Sequence, residues 1–117
     1  MIWVFLGGGL GAMCRYGLAL WGRNFTYPIP TLVANFIGCL LLGMFWEYKP
    51  RHSTASWLLL TTGFCGGLTT FSTLILELKQ MSLQPNRSIV YLLISVVAGL
   101  VALWLGTMIS SFLKRWI

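Results

Sequence analysis

Four long apolar runs separated by short polar loops fix what this 117-residue chain can become. They cover residues 2–21, 30–46, 56–76 and 89–112. Each is close to the roughly 20 residues that an α-helix needs to cross the apolar layer of a bilayer. Helices are the economical way across, because lipid offers no water to unpaired backbone N–H and C=O groups. A membrane β-barrel would show short alternating segments instead. The expected fold class is therefore an all-α membrane protein with four transmembrane helices, a single domain over residues 1–117.

Composition agrees with this. Only 9% of the residues are charged and 57% are hydrophobic, whereas a soluble domain carries about 25% charged residues and a disordered one needs low hydrophobicity. No basic residue precedes the first run, so a cleaved signal peptide is not expected. Trp3, Trp21, Trp46, Trp57 and Trp116 sit near run ends, as an interfacial aromatic belt does; Trp104 stands apart from them. Cys14, Cys39 and Cys65 each lie in an apolar stretch without a C-x-x-C spacing, so they read as small buried hydrophobes rather than ligands or disulfide partners.

The net charge of +6 raises nucleic acid as a partner, but a nucleic-acid binder gathers its charges on one face. Here they are scattered between apolar runs, as flanking charges of membrane helices are, and no nucleic-acid partner is expected. Four spans put Lys49, Arg51, Lys114 and Arg115 on one side and Arg23, Lys79 and Arg87 on the other, with Arg15 near the end of the first span. Such a balance gives the positive-inside rule nothing to act on. It points to a chain that inserts both ways and pairs antiparallel.

The third run does not read as a plain helix. Residues 63–73, Gly-Phe-Cys-Gly-Gly-Leu-Thr-Thr-Phe-Ser-Thr, crowd glycines and hydroxyls at about mid-membrane. Irregular backbone at that depth is tolerated only where it is buried in protein or lines a cavity. The alternative is a small-residue packing face, since Gly63 and Gly67 are four apart.

Enzyme chemistry finds no support. The stretch Gly7-Gly8-Gly9-Leu10-Gly11-Ala12 fits a dinucleotide-binding turn, but that turn wants an acid about 20 positions on, and the first acid is Glu47; close helix packing explains the glycines better. His52 is alone in a polar loop. Glu47 and Glu77 are placed at span ends, far apart, and no nucleophile, base and orienter can be assembled. What remains are polar groups inside spans. Arg15 is either a functional buried cation or a side chain snorkelling to the interface. Asn35 either bridges helices or lines a polar path with its amide donors. Donors without nearby carboxylates favour an anion over a cation; a small multidrug transporter would need a membrane-embedded Glu.

Three motifs then occur in order along the first three runs: Gly9-x-Gly11-Ala12-x-x-Arg15-Tyr16, Thr31-x-x-x-Asn35-x-x-Gly38, and the segment 63–73. Together they resemble the Fluc (CrcB) family of fluoride channels. The third motif is highly specific, while the fourth run is similar in composition only. The resemblance implies an antiparallel, dual-topology dimer with two fluoride pores in a multi-pass protein of the bacterial inner membrane. It also implies a broken third helix, passive fluoride export and protection from fluoride toxicity. It places a structural sodium ion at the dimer centre, on the backbone carbonyls of Gly66 and Thr69 from both subunits. It puts Asn35, Phe71, Ser72 and Thr73 on the fluoride pathway, and Arg15 near its vestibule. One position departs from the pattern: Leu74 stands where the family usually has a second pore Phe. A Phe ring has a positive edge for an anion and Leu has none. That leaves a homodimer with a modified site, or a heterodimer whose partner supplies the ring. The other readings are a non-conducting subunit and a small cation exporter.

Overall fold

The computed structural model describes residues 1–46, 48 and 54–116. Glu47, Lys49, Arg51 and His52, to which the sequence reading assigned a span end, flanking charges and a solvated loop, lie outside the described residues. Every regular element among the described residues is helical, and four helical stretches are long and apolar enough to cross a membrane.

The first span, α1, runs Ile2–Trp21 and ends at Gly22, whose N–H still reaches the Leu18 carbonyl. Trp21 meets Phe25 edge-to-face at 5.0 Å across the turn. A side chain at Gly22 would strike the Pro30 ring, so the turn can close this tightly only with glycine. The second span, α2, is Ile29–Trp46, with Pro30 in its first turn, where a missing N–H leaves no bond unmade.

The third span is composite. A Thr54 cap, its hydroxyl accepting from Trp57 N–H, starts α3 at Ala55–Trp57. The coil then widens to a π-helix over Leu58–Cys65 and tightens to α4 at Gly66–Leu68. Thr69 and Thr70 are extended, and α5 resumes at Phe71–Gln80. The last helix, α6, is Pro85–Trp116. Its 32 residues at 1.5 Å each give about 48 Å, longer than the roughly 30 Å apolar layer. The observed helices therefore overrun the apolar runs. The third span continues past residue 76 to Gln80, and α6 begins at Pro85 and ends at Trp116 rather than at 89 and 112. Polar first and last turns stay helical once they reach the headgroup region, and Lys114 and Arg115 suit the C-terminal end of the α6 dipole.

Burial is the reverse of a soluble protein. Many buried positions are small: Ala34 and Ala102 are fully covered and Gly7, Gly11, Gly38, Gly43 and Gly106 are buried, beside the larger Leu68, Leu74 and Tyr91. Phe5, Met13, Leu93, Leu100 and Trp104 are exposed. Lipid supplies no hydrophobic drive between helices, so small residues that let backbones approach set the contacts. Cys65 is buried and Cys39 half-buried as expected, but Cys14 faces outward on α1 and is exposed, because the buried stripe of α1 is the Gly7 and Gly11 face.

Two seams result. In the first, α1 lies parallel to the third span, with Gly7 against Leu59, Gly63 and Phe64, and Gly11 against Phe64 and Leu68. The glycine-rich segment of α1 is thus packing, and Gly63 and Gly67 meet Gly7 and Gly8 from the other side. In the second, α2 lies parallel to α6 in steady register: Tyr27 faces Arg87, Gly99 approaches Cys39, and Gly43 meets Leu103. At Gly43 and Gly106 the two backbones cross so closely that a methyl group on either would strike a carbonyl of the other helix.

Gly106→Val should therefore lower the stability of the detergent-solubilised protein by about 1–3 kcal/mol. Gly9→Ala, whose methyl meets nothing within 4 Å, should leave it unchanged or raise it by up to ~1 kcal/mol. Thermal melting followed by tryptophan fluorescence compares them; equal midpoints would contradict the close α2–α6 crossing.

Candidate functional site: the interruption of the third span

A helix interrupted inside an apolar layer strands backbone donors and acceptors, so each one at the interruption has to be traced. In a continuous helix the Thr70 N–H would bond the Gly66 carbonyl. Here it donates to Asn35 Oδ1 at 2.7 Å, and Asn35 Nδ2 donates back to the Thr70 carbonyl at 3.2 Å. One side-chain amide on α2 thus closes both backbone groups of Thr70, and its second Nδ2 hydrogen takes part in neither bond. Both sequence readings of Asn35 survive, because the bridge to another helix leaves a donor over.

The Gly67 carbonyl, whose helical donor would be Phe71 N–H, accepts instead from Arg15 Nε at 3.2 Å. Arg15 thus turns inward from α1 and does not snorkel away from the protein. The Thr69 N–H and its hydroxyl both donate to the Cys65 carbonyl at 3.0 Å, which stops the preceding turn. Thr70 then caps α5: its Oγ1 accepts from Thr73 N–H at 3.2 Å, donates to Thr73 Oγ1 at 3.0 Å and lies 3.3 Å from Ser72 Oγ. Because Thr70 N–H serves Asn35 and Thr73 N–H serves the Thr70 side chain, the carbonyls of Gly66 and Thr69 have lost their helical donors.

Asn35, Gly66, Thr69, Phe71 and Leu74 line one open cavity of about 680 Å³ between α2, the third span and α6. Its α6 wall carries one hydroxyl, Ser95, which donates to the Tyr91 carbonyl at 2.8 Å. Phe71 is 72% exposed and Leu74 only 6%, so the ring projects from the bundle while the leucine packs into it. A Cβ placed on Gly66 would meet no atom within 4 Å, so that backbone is open on its cavity side. Arg15, Ser72 and Thr73 are not on this lining. Ser72 is exposed and Thr73 half-buried, both tied to the wall through the Thr70 hydroxyl.

A further polar cluster surrounds Glu77. The apolar run puts Glu77 at a span end without a role, but α5 continues beyond it. Its carboxylate accepts from Thr31 Oγ1 on α2 at 2.5 Å and from the Tyr91 hydroxyl on α6 at 2.7 Å. Thr31 and Tyr91 are both buried at 6% exposure. The one carboxylate among the described residues thus ties α2, α5 and α6 together, N-terminal to Asn35 along α2. The available signal was an acid close to the edge of an apolar run, which has to find donors on its neighbours.

The span that carries the cluster and the cavity matches a known protein family. The family model described as CrcB-like protein, Camphor Resistance (CrcB), matches residues 2–107. The "Fluoride-specific ion channel FluC 1" of Streptococcus pneumoniae serotype 4 is 38% identical over 109 residues, covering 93% of this chain and 98% of its own. The "Fluoride-specific ion channel FluC" of Salinibacter ruber is 40% identical over 121 residues, covering 97% and 90%. The "Fluoride-specific ion channel FluC 2" of Rhodococcus jostii is 42% identical over 112 residues, covering 92% and 96%. With four candidate membrane helices and a match over almost its whole length, the chain is a multi-pass membrane protein that belongs to the CrcB-like family.

Proposed function

We propose that this protein is a fluoride-selective channel of the bacterial cell membrane, through which fluoride leaves passively and the cell escapes fluoride toxicity. It is a channel and not an enzyme. Its relatives carry the name fluoride-specific ion channel over nearly their full lengths. The observation that carries the reading on this chain is the Asn35–Thr70 bridge, which leaves one amide donor over beside an open cavity.

Fluoride is small and strongly hydrated, so a pore has to replace its water with N–H and O–H donors. On this reading the second Nδ2 hydrogen of Asn35 and the hydroxyls of Ser72 and Thr73 do so, with the positive edge of the Phe71 ring as a weak station. Several weak stations allow both uptake and release. Arg15, fixed beside the interruption, raises the local anion concentration by focusing the field. The inside-negative potential then drives the anion outward with about 2.3 kcal/mol per charge per 100 mV.

The reading includes an antiparallel homodimer, supported by the even division of basic residues and by the large open face around Gly66, Thr69 and Phe71. At its centre the Gly66 and Thr69 carbonyls of both subunits would hold a structural sodium ion. Unwound carbonyls without helical donors are oxygens that such a hard cation takes. When bound, the ion supplies fixed positive charge that ties the two interruptions together.

The test is fluoride efflux from proteoliposomes holding the purified chain alone, followed with an ion-selective electrode. Fluoride should leave far faster than chloride. Equal rates would refute selectivity, and no efflux would leave a non-conducting subunit or one that works only beside a different partner. A cation exporter would move cations in the same vesicles without fluoride. Leu74→Phe should conduct at least as fast as the natural chain, since it adds an aromatic edge to the cavity lining. A complete loss would show that the cavity is shaped around leucine.

A further inference from the structure

A second cavity, of about 380 Å³, lies at the first turns of α2 and α6, on a different face of α6 from the interruption. Its α6 wall is Val90, Tyr91 and Ile94, whereas the larger cavity takes Ser95, Val96, Gly99, Leu100 and Leu103. Helical periodicity turns the two sets to largely opposite faces, with Tyr91 and Ser95 at their border. Ile29 and Leu32 form the α2 wall, and the mouth carries Tyr27, Asn86 and Arg87. The volume is within the usual range for a ligand pocket.

The mouth is cationic. The Arg87 guanidinium lies 5.8 Å from the centre of the Tyr27 ring. Glu77, the one carboxylate among the described residues, is bonded to Thr31 and Tyr91, and Arg87 forms no ion pair among the described residues. Depth follows from the sequence: α6 starts at Pro85, but its apolar run starts at Ile89, which puts Arg87 at headgroup level with Tyr27 as an interfacial aromatic. Below it the walls are mostly aliphatic, with Tyr91 among them. A cation and an amide at the rim and a largely apolar groove beneath complement a molecule with an anionic head and an apolar tail.

We propose that this groove binds one anionic phospholipid. Its phosphate sits against Arg87 and the Asn86 amide, and the upper part of an acyl chain lies along Ile29, Leu32, Val90 and Ile94. Basic pockets between membrane helices recognise lipid headgroups in this manner.

The test uses the full chain in neutral detergent, offered equal amounts of phosphatidylglycerol and phosphatidylcholine, with retained lipid counted by native mass spectrometry. Phosphatidylglycerol should be retained preferentially. Arg87→Gln should reduce its retention about five-fold, the factor that one basic residue near an anionic surface is worth. Arg87→Lys should keep most of it. Val90→Trp, which fills the groove and leaves the cation in place, should reduce retention of both lipids. Equal retention of the two lipids by the natural chain, or unchanged retention in both Arg87→Gln and Val90→Trp, would overturn the proposal. So would displacement of the lipid by an equal concentration of inorganic phosphate, which would mark a free-anion site. Loss of dimer mass in Val90→Trp without change in lipid would also overturn it, by assigning the groove to a second copy.

Discussion

The constraint on which the rest of this structure depends is that a helix can be interrupted inside lipid only where its freed backbone groups find other partners or face a cavity within the protein. Each one left unpaired costs several kcal/mol. At Thr69 and Thr70 the backbone is extended, and three helices answer for it. Asn35 on α2 takes both polar groups of Thr70, Arg15 on α1 takes the Gly67 carbonyl, and the Thr70 side chain caps α5. The interruption is therefore a property of the bundle, and neither α2 nor α1 could be moved without stranding it.

The glycines make that arrangement possible. Arg15 can reach Gly67 only because Gly7, Gly8 and Gly11 bring α1 against the backbone of the third span. Asn35 can reach Thr70 only because Gly38 leaves room for the Thr69 methyl beside it. The parallel α2–α6 seam, closed at Gly43 and Gly106, holds the opposite wall of the cavity and presents Tyr91 to Glu77. Packing of small residues and satisfaction of backbone polarity are two descriptions of one design.

Much of this was legible in the sequence. The bounds of the first span and the end of the second follow from the apolar runs alone, because the bilayer fixes their length. Asn35 stood out as an amide in a run with no other strong polar group, and segment 63–73 as a stretch unfit for a plain helix. The partner of Asn35 was not legible, because the bond to Thr70 is tertiary and no spacing encodes it. The same holds for Glu77: its donors, Thr31 and Tyr91, are on other helices, and its place inside α5 is hidden because helices continue past the edge of an apolar run. The π-helix at Leu58–Cys65 has no sequence signal of its own. Nor does Cys14 carry a mark of being outward-facing, since a residue looking at lipid and one in the core are equally apolar.

Asn35 bridges the interruption through Thr70, and on the proposed reading it also offers its remaining donor to the ion. Replacing Asn35 with Asp keeps one half of the bridge and removes the donors. An aspartate keeps an oxygen for the Thr70 N–H but removes both amide donors and sets a like charge beside the path. The decisive measurement is fluoride efflux through Asn35→Asp in proteoliposomes, with folding checked by elution and melting of the same preparation. The account predicts a folded protein that no longer conducts fluoride; efflux at the natural rate would contradict it and remove Asn35 from the pathway.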